Sequence, residues 1–134
     1  MNENRYLKWL SSETPSIYWH DSAVVSELDT AIENGACGLT TNPFLIASTL
    51  KAHPEFWKSV LPGVGADIRG DARAEAWTAQ SVTYLANRVR PLRSGGTFRG
   101  YCCAQTNPAR PGDAEAMVAA AKKYGACGDN VVVK

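Results

Sequence analysis

The apolar residues of the chain follow two periods that alternate along its length. Short runs rich in aromatic and β-branched residues predict strands over 16–20, 37–41, 98–105 and 130–134. Apolar residues with one-face helical spacing predict helices over 23–34, 43–51, 71–90 and 113–125. An amphipathic helix over 2–11, carrying Tyr6, Leu7, Trp9 and Leu10, is predicted to pack across the elements that follow it. The chain is therefore predicted to alternate strand and helix.

Residues typical of helix ends mark most of these boundaries. Asp21 and Ser22 are placed to cap the helix over 23–34, and Gly35 follows it where a left-handed residue is favoured. Asn42 is a preferred N-cap, and Pro43 is a preferred first helical residue. The segment 44–95 is predicted to insert extra helices before the third strand. The last helix carries the apolar or aromatic residues Met117, Ala120, Ala121 and Tyr124 and is closed by Gly125.

This order of elements predicts an α/β fold. Continuous apolar strands without a tight hairpin signal favour parallel strands joined by helical crossovers. Four units in 134 residues are about 33 residues each, close to the roughly 31 of a (β/α)8 TIM barrel of about 250 residues. The chain is therefore predicted to be one domain over 1–134, the N-terminal half of such a barrel, with an N-terminal helix in 1–15.

Composition removes several classes of function. The 14 Lys and Arg balance 13 Asp and Glu, and no basic patch of the kind that binds nucleic acid is present. No apolar stretch approaches the roughly 18 residues of a spanning helix, so we expect no membrane partner and a cytoplasmic protein. The four cysteines form no metal-binding spacing and are expected to be small buried thiols. Gly63-x-Gly65 follows no predicted strand and is not a dinucleotide motif.

Each predicted strand ends on a polar residue. By period two, these residues are Asp21, Asn42, Gln105 and Lys134. Chemistry in parallel α/β sheets takes place at the carboxyl ends of the strands. A carboxylate, two amides and an amine at one mouth supply an acid/base, two hydrogen-bonding groups and a nucleophile. An amine desolvated by an apolar barrel interior would be neutral and could form a Schiff base that serves as an electron sink.

Structural roles compete with these assignments. Asp21 and Asn42 are also good helix caps, and a lysine at the end of a sequence is often only solvated. Of the two threonines before Asn42, alternation turns Thr40 toward the same face. Trp19 and Tyr101 share that face one layer deeper and are expected to fill the core. The histidines, His20 and His53, are assigned no role.

The motifs at the strand ends resemble those of the transaldolase family over nearly the whole chain. The first strand and its Asp-Ser-Ala ending appear at 17–23, and the Thr-Thr-Asn-Pro signature is intact at 40–43. The third and fourth strands match at 103–107 and 131–134, the latter ending on the position of the Schiff-base lysine. The resemblance implies a TIM barrel and a carbohydrate-metabolism enzyme of the pentose phosphate type. It requires no cofactor and no metal, and we expect a homo-oligomer acting on a sugar or sugar phosphate.

The same resemblance implies a role for each strand-end residue. Lys134 would condense with the carbonyl of a ketose donor, and Asp21 would take the proton from the hydroxyl whose carbon–carbon bond breaks. Asn42 would hydrogen-bond the bound three-carbon fragment, with Thr40 beside it in the substrate site. Gln105 would position the water used in proton transfer.

Two questions stay open at this point. Gln105 stands where classical transaldolases carry Glu and related small aldolases carry Gln, so the fragment is either transferred to an aldehyde or released as dihydroxyacetone. The later strands of the barrel have no counterpart in the sequence. The chain is therefore interrupted at a modified lysine, is a fragment, or forms paired half-barrels, and a non-catalytic half-barrel interaction protein is the alternative to an enzyme.

Overall fold

The protein folds as one parallel β-sheet with helices on one of its faces. The computed structural model describes residues 4–109 and 111–134. The strands are β1 (Trp19–Asp21), β2 (Gly38–Thr40), β3 (Tyr101–Ala104) and β4 (Val131–Val133). The helices are α1 (Arg5–Glu13), α2 (Val25–Glu33), α3 (Pro43–Ala52), α4 (Pro54–Val60), α5 (Gly70–Val89) and α6 (Ala114–Gly125), with a 3₁₀ helix at Arg90–Gly95. The predicted α/β class is confirmed.

The order of the strands is that of a barrel. The sheet runs β1-β2-β3-β4, and each neighbouring pair is parallel. In a doubly wound sheet the order reverses at a switch point, where the ligand binds. The described strands instead advance one position at a time, as the strands of a (β/α)8 barrel do.

The register divides the strand residues between two faces. Trp19, Gly38 and Tyr101 form one row, and the next row on the same face is Asp21, Thr40, Cys103 and Val132. We call this the inner face. The alternate residues Leu39 and Cys102 turn toward the helices and are fully buried, whereas Val132 on the inner face is 43% exposed. The core therefore lies between the sheet and the helices, and the inner face is open.

The core is built from the helix-facing strand residues and one stripe of α5. Leu39, Cys102 and Ala104 pack with Leu28, Ile46, Val82, Leu85 and Val89. The only polar atom of the buried Trp57 side chain donates from Nε1 to Thr49 Oγ1 at 3.1 Å, so the indole satisfies its hydrogen bond inside the core. This packing holds the sheet rigid beneath its carboxyl edge.

The helix ends agree with the sequence at most positions and differ at one. Asn42 caps α3 with Pro43 as its first residue, Asp113 caps α6, and Gly35 has φ +97° after α2. Neither Asp21 nor Ser22 caps α2 as predicted, because the helix begins only at Val25, with Val24 as its N-cap and no side-chain cap hydrogen bond. Ser22 Oγ instead accepts from the backbone N–H of Val24 at 3.1 Å, which leaves the Asp21 carboxylate for another partner.

The strands are shorter than predicted, and for β3 the reason is that its first predicted residues leave the extended conformation. The predicted third strand begins at Phe98, but Phe98 has φ +61° and Gly100 has φ +74°, and β3 starts only at Tyr101. A side chain at Gly100 would collide with Cγ of Arg93, so glycine is required at this close approach. The strand therefore begins where the backbone becomes regular.

Three apolar side chains that the sequence placed on packing faces are exposed. Tyr6 and Trp9 on α1 are 64% and 52% exposed, and Met117 on α6 is 45% exposed. The helix α1 is held instead through polar contacts, since the backbone N–H of Asn4 donates to Asn34 Oδ1 at 2.6 Å. Helical spacing predicted the apolar stripe but not which part of it other elements would cover.

Candidate active site

The carboxyl edge of the sheet continues its hydrogen-bond ladder one residue beyond the strands. The backbone N–H of Thr41 donates to the Cys103 carbonyl at 2.9 Å, and that of Lys134 donates to the Ala104 carbonyl at 2.9 Å. The N–H of Thr106 donates in turn to the Lys134 carbonyl at 3.0 Å. Because this ladder keeps the strand register, the next row on the inner face contains Asn42, Gln105 and Lys134.

The four sequence-predicted strand-end residues therefore lie at one edge. Asp21 lies in the row of Thr40 and Cys103, one row below the other three. The predicted inward direction of Thr40 is confirmed, since Thr41 is fully buried on the opposite face. Trp19 and Tyr101 lie one row deeper than Asp21, as alternation predicted.

Asp21 is held by a direct hydrogen bond from the neighbouring strand. Thr40 Oγ1 donates to Asp21 Oδ1 at 2.6 Å. The carboxylate is exposed, so its second oxygen can accept a proton from a ligand above the inner face. The sequence placed Thr40 in the substrate site and did not predict this contact.

Asn42 serves as both a helix cap and a rim residue. Its Oδ1 accepts from the backbone N–H of Leu45 at 2.9 Å, which fixes the side-chain orientation. The Nδ2 amide has no acceptor within the described residues. It can therefore donate two hydrogen bonds to oxygen atoms of a ligand.

Lys134 is placed by an amide buried four residues earlier in the chain. Asn130 is fully buried, and its Nδ2 donates to the carbonyls of Ala86 and Gly100 at 2.8 and 2.7 Å. These bonds tie the start of β4 to α5 and to the residue before β3. The extended chain from Asn130 to Lys134 then fixes how far Lys134 extends along the strand direction at the carboxyl edge of the sheet.

The surroundings of Lys134 differ from the sequence expectation in one respect. Lys134 is exposed, so the described chain does not desolvate its amine as the sequence predicted. Its charge acts on the inner face nevertheless. Burial raises the pKa of the Cys103 thiol, and the Lys134 ammonium partly offsets that rise. The charge of Lys134 therefore lies close enough to the Cys103 thiol to affect its pKa.

Gln105 is the third residue of the row that contains Asn42 and Lys134, which we call the upper row. Its side chain is half-buried and has no hydrogen-bond partner in the described parts of the chain. A neutral amide in this position can hold a water molecule or a hydroxyl but cannot accept its proton. The upper row thus offers an amine and two amides above a carboxylate.

A cavity of about 540 Å³ covers the lower part of the inner face. Trp19, Tyr101, Cys103 and Val132 form its apolar wall, and Arg93 and Arg99 lie at its edge. The Arg93 guanidinium lies 5.4 Å from the centre of the Tyr101 ring. Neither arginine was predicted from the sequence, and strand alternation does not reach Arg99, because the backbone on both sides of it has positive φ and β3 begins only at Tyr101.

Neither a metal site nor a membrane segment is found among the residues that the structure describes. Among residues 4–109 and 111–134, no three His, Cys, Asp or Glu side chains come together as metal ligands. Within the same ranges, no helix combines the length and the apolar character that crossing a bilayer needs.

The fold and the site define a barrel-type α/β protein with an amine, a carboxylate and two amides at the carboxyl edge of its sheet. Residues 18–134 match the Transaldolase/Fructose-6-phosphate aldolase family. The chain belongs to this family, whose fold is a (β/α)8 barrel and whose chemistry is of the class I aldolase and transaldolase type. It has no match among curated proteins. The resemblance carried by Thr40-Thr41-Asn42-Pro43 is thereby confirmed.

Proposed function

We propose that the protein transfers a three-carbon dihydroxyacetone unit from a ketose phosphate to an aldehyde through a Schiff base on Lys134. The observation that carries this proposal is the shared edge. Lys134, Gln105 and Asn42 form one row directly above the hydrogen-bonded Asp21 and Thr40. A nucleophilic amine above a fixed carboxylate is the arrangement that class I aldol cleavage needs.

The first half of the reaction forms the covalent intermediate and breaks the donor. The neutral Lys134 amine adds to the ketone carbon, and loss of water gives an iminium. Asp21 accepts the proton of the hydroxyl group at the carbon that will leave. The carbon–carbon bond breaks, its electron pair moves into the iminium to give an enamine, and the aldehyde departs.

The second half reverses these steps with another aldehyde. The enamine carbon attacks the acceptor, Asp21 returns its proton to the new hydroxyl group, and water hydrolyses the iminium to regenerate Lys134. The Nδ2 group of Asn42 donates hydrogen bonds to the bound three-carbon fragment. Gln105 holds the water that relays protons at the substrate carbon bonded to Lys134 Nζ.

One observation favours an aldolase as the second candidate. Gln105 is an amide, so the water it holds must exchange its proton with another group. If that water protonates the enamine carbon before an aldehyde arrives, hydrolysis of the resulting iminium releases free dihydroxyacetone, as in a fructose-6-phosphate aldolase. The aldol cleavage itself is the same in both candidates.

We also propose a cytoplasmic location and a homo-oligomeric state. Four free cysteines support a reducing compartment. The exposed aromatic pair of Tyr6 and Trp9, with ring centres 6.0 Å apart, supports a contact between copies of the chain. The remaining partners are the sugar or sugar-phosphate substrates.

The test is reductive capture followed by mass analysis. The protein is incubated with fructose 6-phosphate and borohydride, and the adduct is mapped to a residue. We expect one reduced adduct on Lys134, none in Lys134→Arg, which keeps the charge, and a normal adduct in the control Lys122→Arg. Asp21→Ala should still capture the donor but cleave it at least about 100-fold more slowly. Capture at another residue would refute the role of Lys134 and move the nucleophile elsewhere, whereas no capture would refute the catalytic proposal and favour the non-catalytic half-barrel.

A further inference from the structure

The structure assigns Thr40 a positioning role toward Asp21 instead of a place in the substrate site. This inference rests on the proposed function and deepens it. Its basis is the 2.6 Å hydrogen bond from Thr40 Oγ1 to Asp21 Oδ1. The bond crosses between two parallel strands in which Asp21 and Thr40 are register partners.

The hydrogen bond gives the two oxygens of the Asp21 carboxylate different roles. A threonine hydroxyl has one proton, and here it is donated to Oδ1. Oδ1 therefore carries the bond that orients the group, and Oδ2, which has no hydrogen bond in the described residues, is the freer oxygen to accept the substrate proton. Because the carboxylate is exposed, it would rotate freely without this bond. Thr40 keeps it in one orientation above the inner face.

The geometry around Thr40 makes this contact well defined. The backbone N–H of Ser22 donates to the Thr40 carbonyl at 3.2 Å, so the backbone on both sides of the side-chain bond is paired. Threonine is also β-branched and has few rotamers in a strand. The hydroxyl therefore reaches Asp21 from a rigid base, and its only proton is already used before a substrate arrives.

The two reduced adducts on Lys134 separate positioning from substrate binding. Borohydride reduces iminium ions, so it traps a six-carbon adduct before the donor is cleaved and, once the enamine left by cleavage has taken up a proton from water at its carbon, a three-carbon adduct. A positioning residue changes the proportion of the two adducts and leaves their sum unchanged. A residue that binds the donor lowers the sum.

The chain offers a matched control at the next position. Thr41 carries the same side chain, is fully buried on the opposite face, and its Oγ1 has no hydrogen-bond partner in the described residues. Thr40→Val and Thr41→Val therefore remove the same atom from neighbouring positions of one strand. Thr40→Ser keeps the hydroxyl and serves as the conservative rescue.

The experiment is single-turnover capture with fructose 6-phosphate and borohydride in these variants. We expect Thr40→Val to slow cleavage by about 10-fold to about 100-fold, as loss of orientation does, with total adduct unchanged and the six-carbon form enriched. Thr40→Ser should restore cleavage, Thr41→Val should match the wild type, and Thr40→Val should add little in an Asp21→Ala background.

Three results would overturn the inference in different ways. A fall in total adduct in Thr40→Val would return Thr40 to the substrate site. An unchanged adduct ratio, or an equal effect of Thr41→Val, would remove its specific link to Asp21. No adduct in the wild-type protein would instead refute the proposed function, and the positioning role with it.

Discussion

The buried thiol of Cys102 should make the fold sensitive to alkaline pH. Cys102 lies on the helix-facing side of β3 and is fully buried. Burial, with smaller contributions from Cys103 and Cys127, raises its pKa from 9.0 to about 12. Between these two values the folded protein keeps the thiol proton and the unfolded chain loses it. The stability contribution is therefore complete below pH 9 and is lost as the pH rises toward 12.

The size of the effect follows from the width of that interval. Each pH unit within it lowers the free energy of unfolding by about 1.4 kcal/mol, so the loss at pH 10.5 is about 2 kcal/mol. Cys102→Ala removes the titrating group and leaves a small cavity. The variant should be less stable than the wild type at pH 8. The difference between their free energies of unfolding should then shrink by about 2 kcal/mol at pH 10.5.

Urea unfolding at pH 8, 9 and 10.5 measures both free energies. Burial also raises the pKa of Tyr124, but this group is present in both proteins and cancels in the difference. Cys103→Ala is the comparison variant: burial also raises the pKa of this half-buried inner-face thiol, but the Lys134 ammonium partly offsets that rise, so the stability difference from the wild type should change less between pH 8 and pH 10.5. A gap between wild type and Cys102→Ala that is the same at pH 8 and pH 10.5 would refute the reasoning.

Two further outcomes test the inner face. Gly38→Ala should destabilise the protein by about 1 to 3 kcal/mol, because the added Cβ would lie 2.8 Å from the Tyr101 carbonyl oxygen. Urea unfolding measures the change, and Gly125→Ala is the control, since a Cβ added there would have nothing within 4 Å. A loss of stability in Gly38→Ala no larger than that in Gly125→Ala would contradict the prediction. Alkylation of Cys103 by iodoacetamide should block capture at Lys134 in the mass assay, and donor should slow the alkylation. Normal capture by protein alkylated at that residue would show that the two side chains are independent.

The rows of the inner face were predictable from the sequence because one physical rule generates them. Side chains alternate along a strand, and parallel strands end at the same edge. Once the Thr-Thr-Asn-Pro signature fixed the end of β2, alternation alone placed Thr40 inward and Thr41 outward. The same rule placed Trp19 beneath Asp21, and the structure agrees at each position.

The partner of Asp21 could not be predicted in this way. Its carboxylate had two candidate uses, a cap on α2 or a group at the site, and local sequence favours both. The choice depends on the register between β1 and β2, since that register brings Thr40 Oγ1 to 2.6 Å. It also depends on where α2 begins, since its N-cap is Val24 and no side chain caps the helix. Both are relations between residues that a single strand does not encode.

The buried amide of Asn130 had no sequence signal at all, although the position of Lys134 depends on it. In the sequence it looks like the polar first residue of the Val131-Val132-Val133 strand. Its importance comes from the carbonyls of Ala86 and Gly100, which lie 44 and 30 residues earlier in the chain and have Asn130 Nδ2 as a shared donor. Four extended residues span about 13 Å, so a shift of this anchor would move Lys134 relative to Asp21. The carboxyl edge that carries Lys134 is therefore positioned in part by two hydrogen bonds at the start of β4, and strand patterns alone cannot reveal them.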